Sequence, residues 1–395
     1  MARLLATLVL TSAVLASAGP CAVDADCEFN GACHMLSCAC SSGWEGPSCG
    51  SLRLLPAPTT SARLWPRAAE IASGGASAWG FSAPVYDAAD GLYHAFSTVA
   101  CGVYGVVGQG GGNSFIAHLT SASPDSGFTL RSAFTPQTTF GPMSAVAQDG
   151  TFVVIFRVNV LLSAPVCAGN GTDPMPPALL TASDVPAADL VSGDPELGTS
   201  IYVAWATRAA GPWSVARVNI TGDGPTHNSN PSITQLPDGR WAMAYRYNPK
   251  GGSLNAVAIS VDGFRGPYAS LVNLTAGKPG DEDPFFYWSI VPPGAQGSAA
   301  PGDVIGHMLY HNRDFGYHAF GLLDGSSWSV SPTHSYAFTL NVTMDDGSVT
   351  RLSRRERPAL RFDEQHRPLA LLNGVQEGGA EGSCYSFEQP LFVAQ

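Results

Sequence analysis

The stretch Asn230-Pro231-Ser232-Ile233-Thr234-Gln235-Leu236-Pro237-Asp238-Gly239-Arg240-Trp241-Ala242-Met243-Ala244-Tyr245 decides the reading of this chain. A polar residue precedes a proline, an apolar run follows, an Asp-Gly turn reverses the chain, and a second apolar run returns. Asp-Gly between two strand-like runs is a strong short-range hairpin signal. The same unit recurs at Ala83-Pro84 with Asp90-Gly91, and at Gly141-Pro142 with Asp149-Gly150. Looser copies start at Asp283-Pro284, whose return run begins at Gly306, and at Arg357-Pro358, whose return run begins at Pro368. An irregular internal repeat of β-hairpins marks a propeller, so five copies predict an all-β chain with a five-bladed β-propeller.

Proline is tolerated at the first residue of a strand and holds the preceding residue extended. If each X-Pro opens an innermost strand, the residues before the prolines ring one mouth of the channel. That ring is Ser82-Ala83, Phe140-Gly141, Ser229-Asn230, Glu282-Asp283 and Glu356-Arg357.

Composition agrees with strands and tight turns: 44 glycines and 30 prolines in 395 residues, with few helix-period segments. A formal charge of −11 with 13% charged residues argues against a nucleic-acid binder, which needs a basic face. The first residues read as a secretory signal over residues 1–18. Arg3 gives the positive start, Leu4 to Ala16 the apolar run, and Ala16-Ser17-Ala18 the cleavage site. No later stretch is long enough for a membrane span. The expected product is secreted and extracellular, and four sequons (Asn170, Asn219, Asn273 and Asn341) are glycosylation candidates.

Six of the nine cysteines fall between Cys21 and Cys49, a segment too short to bury its own core without staples. Six cysteines allow fifteen pairings. Asn30-Gly31-Ala32-Cys33 and Cys40-Ser41-Ser42-Gly43-Trp44-Glu45-Gly46-Pro47-Ser48-Cys49 make residues 21–49 resemble an EGF-like domain. That resemblance implies the pairs Cys21–Cys33, Cys27–Cys38 and Cys40–Cys49, and a role either as a spacer or as a contact unit toward a protein partner. A zinc site is the rival, and the oxidising compartment disfavours it. Ala18-Gly19-Pro20 stand where calcium-binding modules carry acids, so no calcium is expected. Residues 50–70 read as a linker and 71–395 as the propeller. Cys101, Cys167 and Cys384 remain, an odd number whose pairing the sequence leaves open.

The X-Pro strand starts, together with Gly211-Pro212-Trp213 and Gly266-Pro267-Tyr268, resemble the five-bladed propellers of glycoside hydrolase family 43 and its relatives. The resemblance implies a carbohydrate or glycoconjugate ligand at the channel mouth. In that family an Asp before the first-blade proline is general base, a second Asp tunes pKa, and a Glu two places before a later proline is general acid. Glu282, in Glu282-Asp283-Pro284, carries the acid spacing, as does Glu356 before Pro358. Ala83 and Asn230 stand where acids would be expected.

Glycoside cleavage needs two carboxyl groups flanking the scissile bond. The candidates are Glu282 as acid with Glu356 or Asp283 as base or nucleophile. The plainer reading makes Asp281-Glu282-Asp283 a solvated acidic turn and pairs Glu356 with a neighbouring arginine. Sugar-binding candidates are Trp79 for stacking, Asn113 beside the Gly-rich loop, and His227, Asn230, His311 and His318 as hydrogen-bonding groups. Arg354-Arg355-Glu356-Arg357 reads either as a clamp for an acidic sugar, with Arg355 its candidate residue, or as an ion-pair network. Histidine spacing gives no zinc pattern, and neither metal nor cofactor is expected. The competing functional reading is a non-catalytic glycan-binding or adhesion protein.

Overall fold

A computed structural model describes residues 21–394 except 66–76, 101–113, 136–138, 160–178, 181–198, 223–227, 249–253, 275–280, 296, 298, 313, 327, 332–334 and 380–381. The expected signal segment, Asn113, Asn170, His227, Cys101 and Cys167 lie outside the described residues.

Five antiparallel sheets form the blades, each numbered here in chain order. Blade 1 has an inner edge of Ser77–Trp79 and Val85–Asp87, followed by Leu92–Ala100, Ser114–Ser121 and Thr129–Ala133. Blade 2 runs Thr139–Val146, Phe152–Asn159, Thr199–Ala206 and Ser214–Arg217. Blade 3 runs Ser229–Gln235, Trp241–Tyr247, Leu254–Ser260 and Tyr268–Leu274, with Ile220–Thr221 added in parallel at its outer edge. Blade 4 runs Glu282–Ile290, Val304–Asn312, Phe315–Leu322 and Ser329–Val330. Blade 5 runs Arg354–Phe362, Pro368–Gln376 and Cys384–Pro390, and its outer strand is Arg63–Trp65. The segment read as a linker therefore supplies a strand. Pairing of Arg63–Trp65 with Cys384–Pro390 joins the two ends of the propeller and covers an edge that would otherwise stay open.

Each inner strand carries a β-bulge at the same place. Partner numbering shifts by one between Phe140 and Met143, Ser229 and Ser232, Glu282 and Phe285, and Glu356 and Ala359. The residue in the bulge has positive φ in every case: Gly141 (65°), Asn230 (52°), Asp283 (57°) and Arg357 (54°). A bulge re-aims side chains, and here it turns one residue per blade toward the axis. In blade 1, Trp79 pairs with Thr98 and Ser82 N–H donates to the Phe96 carbonyl, so the bulge residue is Gly80 (φ 78°). The expected ring position Ser82-Ala83 is thus displaced. Ala83-Pro84 lies past the bulge, and the proline of the repeat is replaced by Phe81.

The EGF-like module has the hairpin Gly31–His34 with Ser37–Cys40, and bonds Cys21–Cys33, Cys27–Cys38 and Cys40–Cys49. It shares a core with the propeller: Cys27, Trp44, Cys49 and Leu52 pack in one cluster with Tyr287, Leu309, Phe338, Leu360 and Leu371. Glu28, only 1% exposed, is inserted into blade 4. Its carboxylate accepts from Ser48 Oγ at 2.8 Å, from Ser331 Oγ, and lies 2.9 Å from His318 Nδ1.

Candidate active site at the channel mouth

Beside each bulge, one row of side chains crosses from the first to the second strand. The paired residues are Trp79 and Thr98, Phe140 and Arg157, Ser229 and Arg246, Glu282 and His311, and Glu356 and Gly374. Directly opposed residues share a face of the sheet. The five rows and five bulge residues therefore build one site at the channel mouth.

Its floor is a buried polar knot. Asn230 Nδ2 donates to Asp283 Oδ1 at 2.6 Å, and Arg357 Nη2 donates to Asn230 Oδ1 at 2.9 Å. Arg357 Nε lies 3.1 Å from Asp283 Oδ1, and His311 Nε2 donates to Asp283 Oδ2 at 2.9 Å. Burial works against the charge on Asp283, yet the Arg357 guanidinium and the His311 hydrogen bond hold its carboxyl far below the usual carboxylate range. Arg357 also fills the space over the first two blades. A Cβ on Gly80 would meet its side chain at 3.1 Å, and a Cβ on Gly141 would meet Nη1 at 2.2 Å.

Above this knot, two more carboxyl groups close on His311. Its Nε2 lies 3.9 Å from Glu282 Oε1 and 3.9 Å from Glu356 Oε2. Burial of His311 would lower its pKa; the hydrogen bond to Asp283 and the charges of Asp283, Glu356 and Glu282 outweigh it and raise the pKa. Glu356 is buried, and that burial, helped by Asp283, raises its pKa against the opposing pull of His311 and Arg354. Arg354 Nε and Nη2 each reach Glu356 Oε1 at 2.6 Å, and Arg246 Nη1 reaches Glu282 Oε2 at 2.7 Å. Glu282, Arg246 and Arg354 are the partly exposed members, with 27–28% of each side chain open to solvent.

The structure thus brings together Glu282, Asp283, Glu356, Asn230 and His311, and it removes three other candidates. Trp79 is only 1% exposed and lies beneath Arg354, whose guanidinium carbon is 5.3 Å from its ring, so it cannot stack on a sugar. His318 is buried against the EGF-like module, bonded to Glu28 and 3.0 Å from His307 Nδ1. Arg355 faces away from the mouth. It donates to Asn373 Oδ1, the Thr339 carbonyl and Gln389 Oε1, and burial lowers its pKa to about 9. Within the run Arg354 to Arg357, Arg354 pairs with Glu356 and Arg357 with Asp283, whereas Arg355 bonds only neutral groups.

Arg157 and Arg246 belong to the site but escaped the sequence reading. A positional signal existed: each stands seven residues after the glycine of its Asp-Gly turn, Gly150 or Gly239. Glu282, His311 and Glu356 each offer a ligand atom within 4.8 Å of the others, the donor set a cation would use. Arg246 and Arg354 already sit on an oxygen of two of those carboxyl groups, and their positive charge disfavours a divalent ion there.

Residues 23–51 match the family of Teneurin-like EGF domains. No curated protein matches this chain in sequence. The propeller is similar to a family 117 glycoside hydrolase produced by the marine bacterium Zobellia galactanivorans, at 12% identity and a TM-score of 0.51, covering 86% of this chain and 92% of that one. It is also similar to a variant fructofuranosidase from Schwanniomyces occidentalis complexed with fructosylnystose, at 10% identity and a TM-score of 0.50, covering 85% and 60%. A family 43 β-xylosidase/α-arabinofuranosidase from a compost microbial metagenome aligns at 11% identity and a TM-score of 0.45, over 85% and 95%. At these identities the likeness is one of fold. The chain joins an EGF-like module to a five-bladed propeller that shares its fold with these solved structures.

Proposed function

We propose that this protein is an extracellular carbohydrate-active enzyme that cleaves a glycosidic bond at the channel mouth. The observation that carries the reading is the approach of Glu282 and Glu356, with an oxygen of one within 4.8 Å of an oxygen of the other beside His311. Inverting glycosidases hold their carboxyl groups about 6.5–9.5 Å apart to admit a water, and retaining enzymes hold them about 5–5.5 Å apart. An oxygen-to-oxygen approach within 4.8 Å is compatible with the retaining arrangement, which is the course proposed. Glu356, whose buried carboxyl has a raised pKa, gives its proton to the leaving-group oxygen. The partly exposed Glu282 carboxylate attacks the anomeric carbon, forming a glycosyl ester. Glu356, now a carboxylate, then takes a proton from the water that hydrolyses that ester. Asp283 stays within its cage of Asn230, His311 and Arg357 and positions His311 between the two acids. The disulfide-rich module supports the extracellular assignment. Asn219, Asn273 and Asn341 are all exposed, as glycan acceptors must be.

Turnover of an oligosaccharide panel tests the reading, with product anomers followed by NMR. Glu356→Gln and Glu282→Gln should each lower kcat by roughly 10²–10⁴-fold, and the first product of the parent protein should keep the substrate's anomeric configuration. Full activity in either variant sinks the assignment. The second reading, a non-catalytic glycan-binding protein, draws on Gly80 at the first-blade bulge. There the Arg357 side chain fills the space that an acidic ring residue would use. It requires saturable glycan binding with no released product on long incubation.

A further inference from the structure

The mouth gathers cations in a chain whose formal charge is −11. Arg157 and Arg246 occupy the same position in the second strands of adjacent blades, opposite Phe140 and Ser229. Arg357 enters from blade 5, its guanidinium carbon 4.4 Å from the Phe140 ring centre, while that of Arg157 stands 5.7 Å from the same ring. Burial first, and then the like charges of Arg357 and Arg246, lower the Arg157 pKa to about 10 despite the opposing pull of Asp283 and Glu282. Next to Arg246 in the same row of blade 3 stands Asn255, 2% exposed. Among the described residues, neither its amide nitrogen nor its amide oxygen has a hydrogen-bond partner. Leaving a buried amide unsatisfied is costly, and such groups are normally paired. Guanidinium groups crowded side by side, with an orphan amide along the row, form the recognition chemistry of an oxyanion, because arginine binds carboxylate and sulfate through paired N–H donors.

We propose that the substrate is an anionic glycan, its carboxylate or sulfate held by Arg157 and Arg246 with the amide of Asn255 on the side of blade 3. The inference rests on the carbohydrate reading above and adds the substrate class. It places the acidic group on the side of blades 2 and 3, and the glycosidic bond beside Glu282 and Glu356 of blades 4 and 5. It also moves the acid-sugar clamp expected of the Arg354–Arg357 run to two arginines far from it in sequence, of which Arg246 also pairs with Glu282.

The experiment is calorimetric titration of the full-length protein with sets of oligosaccharides matched in linkage. Each set contains one neutral member, one hexuronate-terminated member and one sulfated member. The hexuronate or the sulfated member should bind at least tenfold more tightly than its neutral parent, and the preference should shrink as salt rises. Which of the two binds tells carboxylate from sulfate. Arg157→Gln should erase most of that preference, read as the ratio of acidic to neutral affinity; Arg246→Gln should erase it too and also weaken neutral binding, because it releases Glu282. Asn255→Leu should erase the preference with no change of charge. Neutral members binding as tightly as acidic ones would overturn this inference and leave the carbohydrate reading standing. If no glycan binds to folded, disulfide-bonded protein, the carbohydrate reading falls with it.

Discussion

At the scale of single residues, the site is held by backbone conformations that most side chains resist. Gly141 sits at φ 65° with the Arg357 guanidinium pressed over it, so two penalties apply to any side chain there: left-handed backbone and collision. Gly150, at φ 86° in the blade 2 turn, has open space where a Cβ would stand, and only the first penalty applies. Gly150→Ala should cost about 1–2 kcal/mol. Gly141→Ala should cost that plus about 1–3 kcal/mol of overpacking, and it should also impair the site by displacing Arg357 from Asp283. Equal losses for the two variants in urea unfolding would show that Arg357 is not seated as described. Asn230, Asp283 and Arg357 adopt the same backbone without being glycine, and their mutual hydrogen bonds and ion pair compensate. The sequence marked all three as ring positions through the prolines that follow them. It did not mark Arg157 and Arg246, because a lone arginine ending an apolar strand reads as an ordinary solvated terminus.

Among the elements, blades 1 and 4 share a buried device. His94 Nδ1 lies 2.8 Å from His118 Nε2, and His307 Nδ1 lies 3.0 Å from His318 Nε2. His118 stands opposite Phe96, two residues after His94, and His318 stands opposite Leu309, two residues after His307. In blade 1 the acid that closes the pair is local, Asp90 at 3.1 Å from His94 Nε2. In blade 4 the acid is Glu28 of the EGF-like module. The module is therefore fixed by a buried carboxylate that completes a propeller motif, and truncating it strands His318, Ser331 and Ser48. Removing one partner of a buried pair typically costs about 3–5 kcal/mol. Glu28→Ala should lower stability by that order and raise amide exchange through residues 21–49 and the last strand of blade 4. Exchange confined to the substitution site would mean that the disulfides alone hold the module. This contact was not legible in the sequence, since nothing in Glu28 or His318 announces a partner about 290 residues away. Blade 1 was misaligned for a related reason: Phe81 replaces the proline of the repeat, and Ala83-Pro84 imitates it three residues later.

For the whole molecule, the repeat of hairpins was enough to read the architecture, because blade number depends on hairpin count and not on the identity of any one residue. The closing strand was missed because Arg63–Trp65 is three residues long and acquires its strand character only by pairing with Cys384–Pro390. The same architecture buries several ionisable groups at once, and their titration sets how stability responds to acid. Burial, followed by the charges of His94 and Arg131, lowers the His118 pKa from 6.5 to about 3. Burial, followed by His318 and His366, holds His307 well below its ordinary value. Both imidazoles are neutral in the folded protein at pH values where the unfolded chain would protonate them. Below about pH 6.5 the unfolded state therefore binds more protons, and the stability contributed by these two groups is lost as pH falls, for His118 down to about pH 3. His118 removes about 1.4 kcal/mol per pH unit across that window. Glu356 has the opposite sense: its raised pKa means that stability is lost as pH rises through and above the ordinary carboxylate range, which offsets part of the slope. Urea unfolding of the parent protein and of His118→Gln from pH 4 to 6 separates these effects. The variant should be less stable at neutral pH, because Ser132 and His94 lose their partner. It should also lose stability more slowly on acidification, by about 1.4 kcal/mol per pH unit. An unchanged slope would mean that His118 is already solvated and protonated in the folded state, and that the blade 1 pair is not the closed, dry contact that the propeller core builds around it.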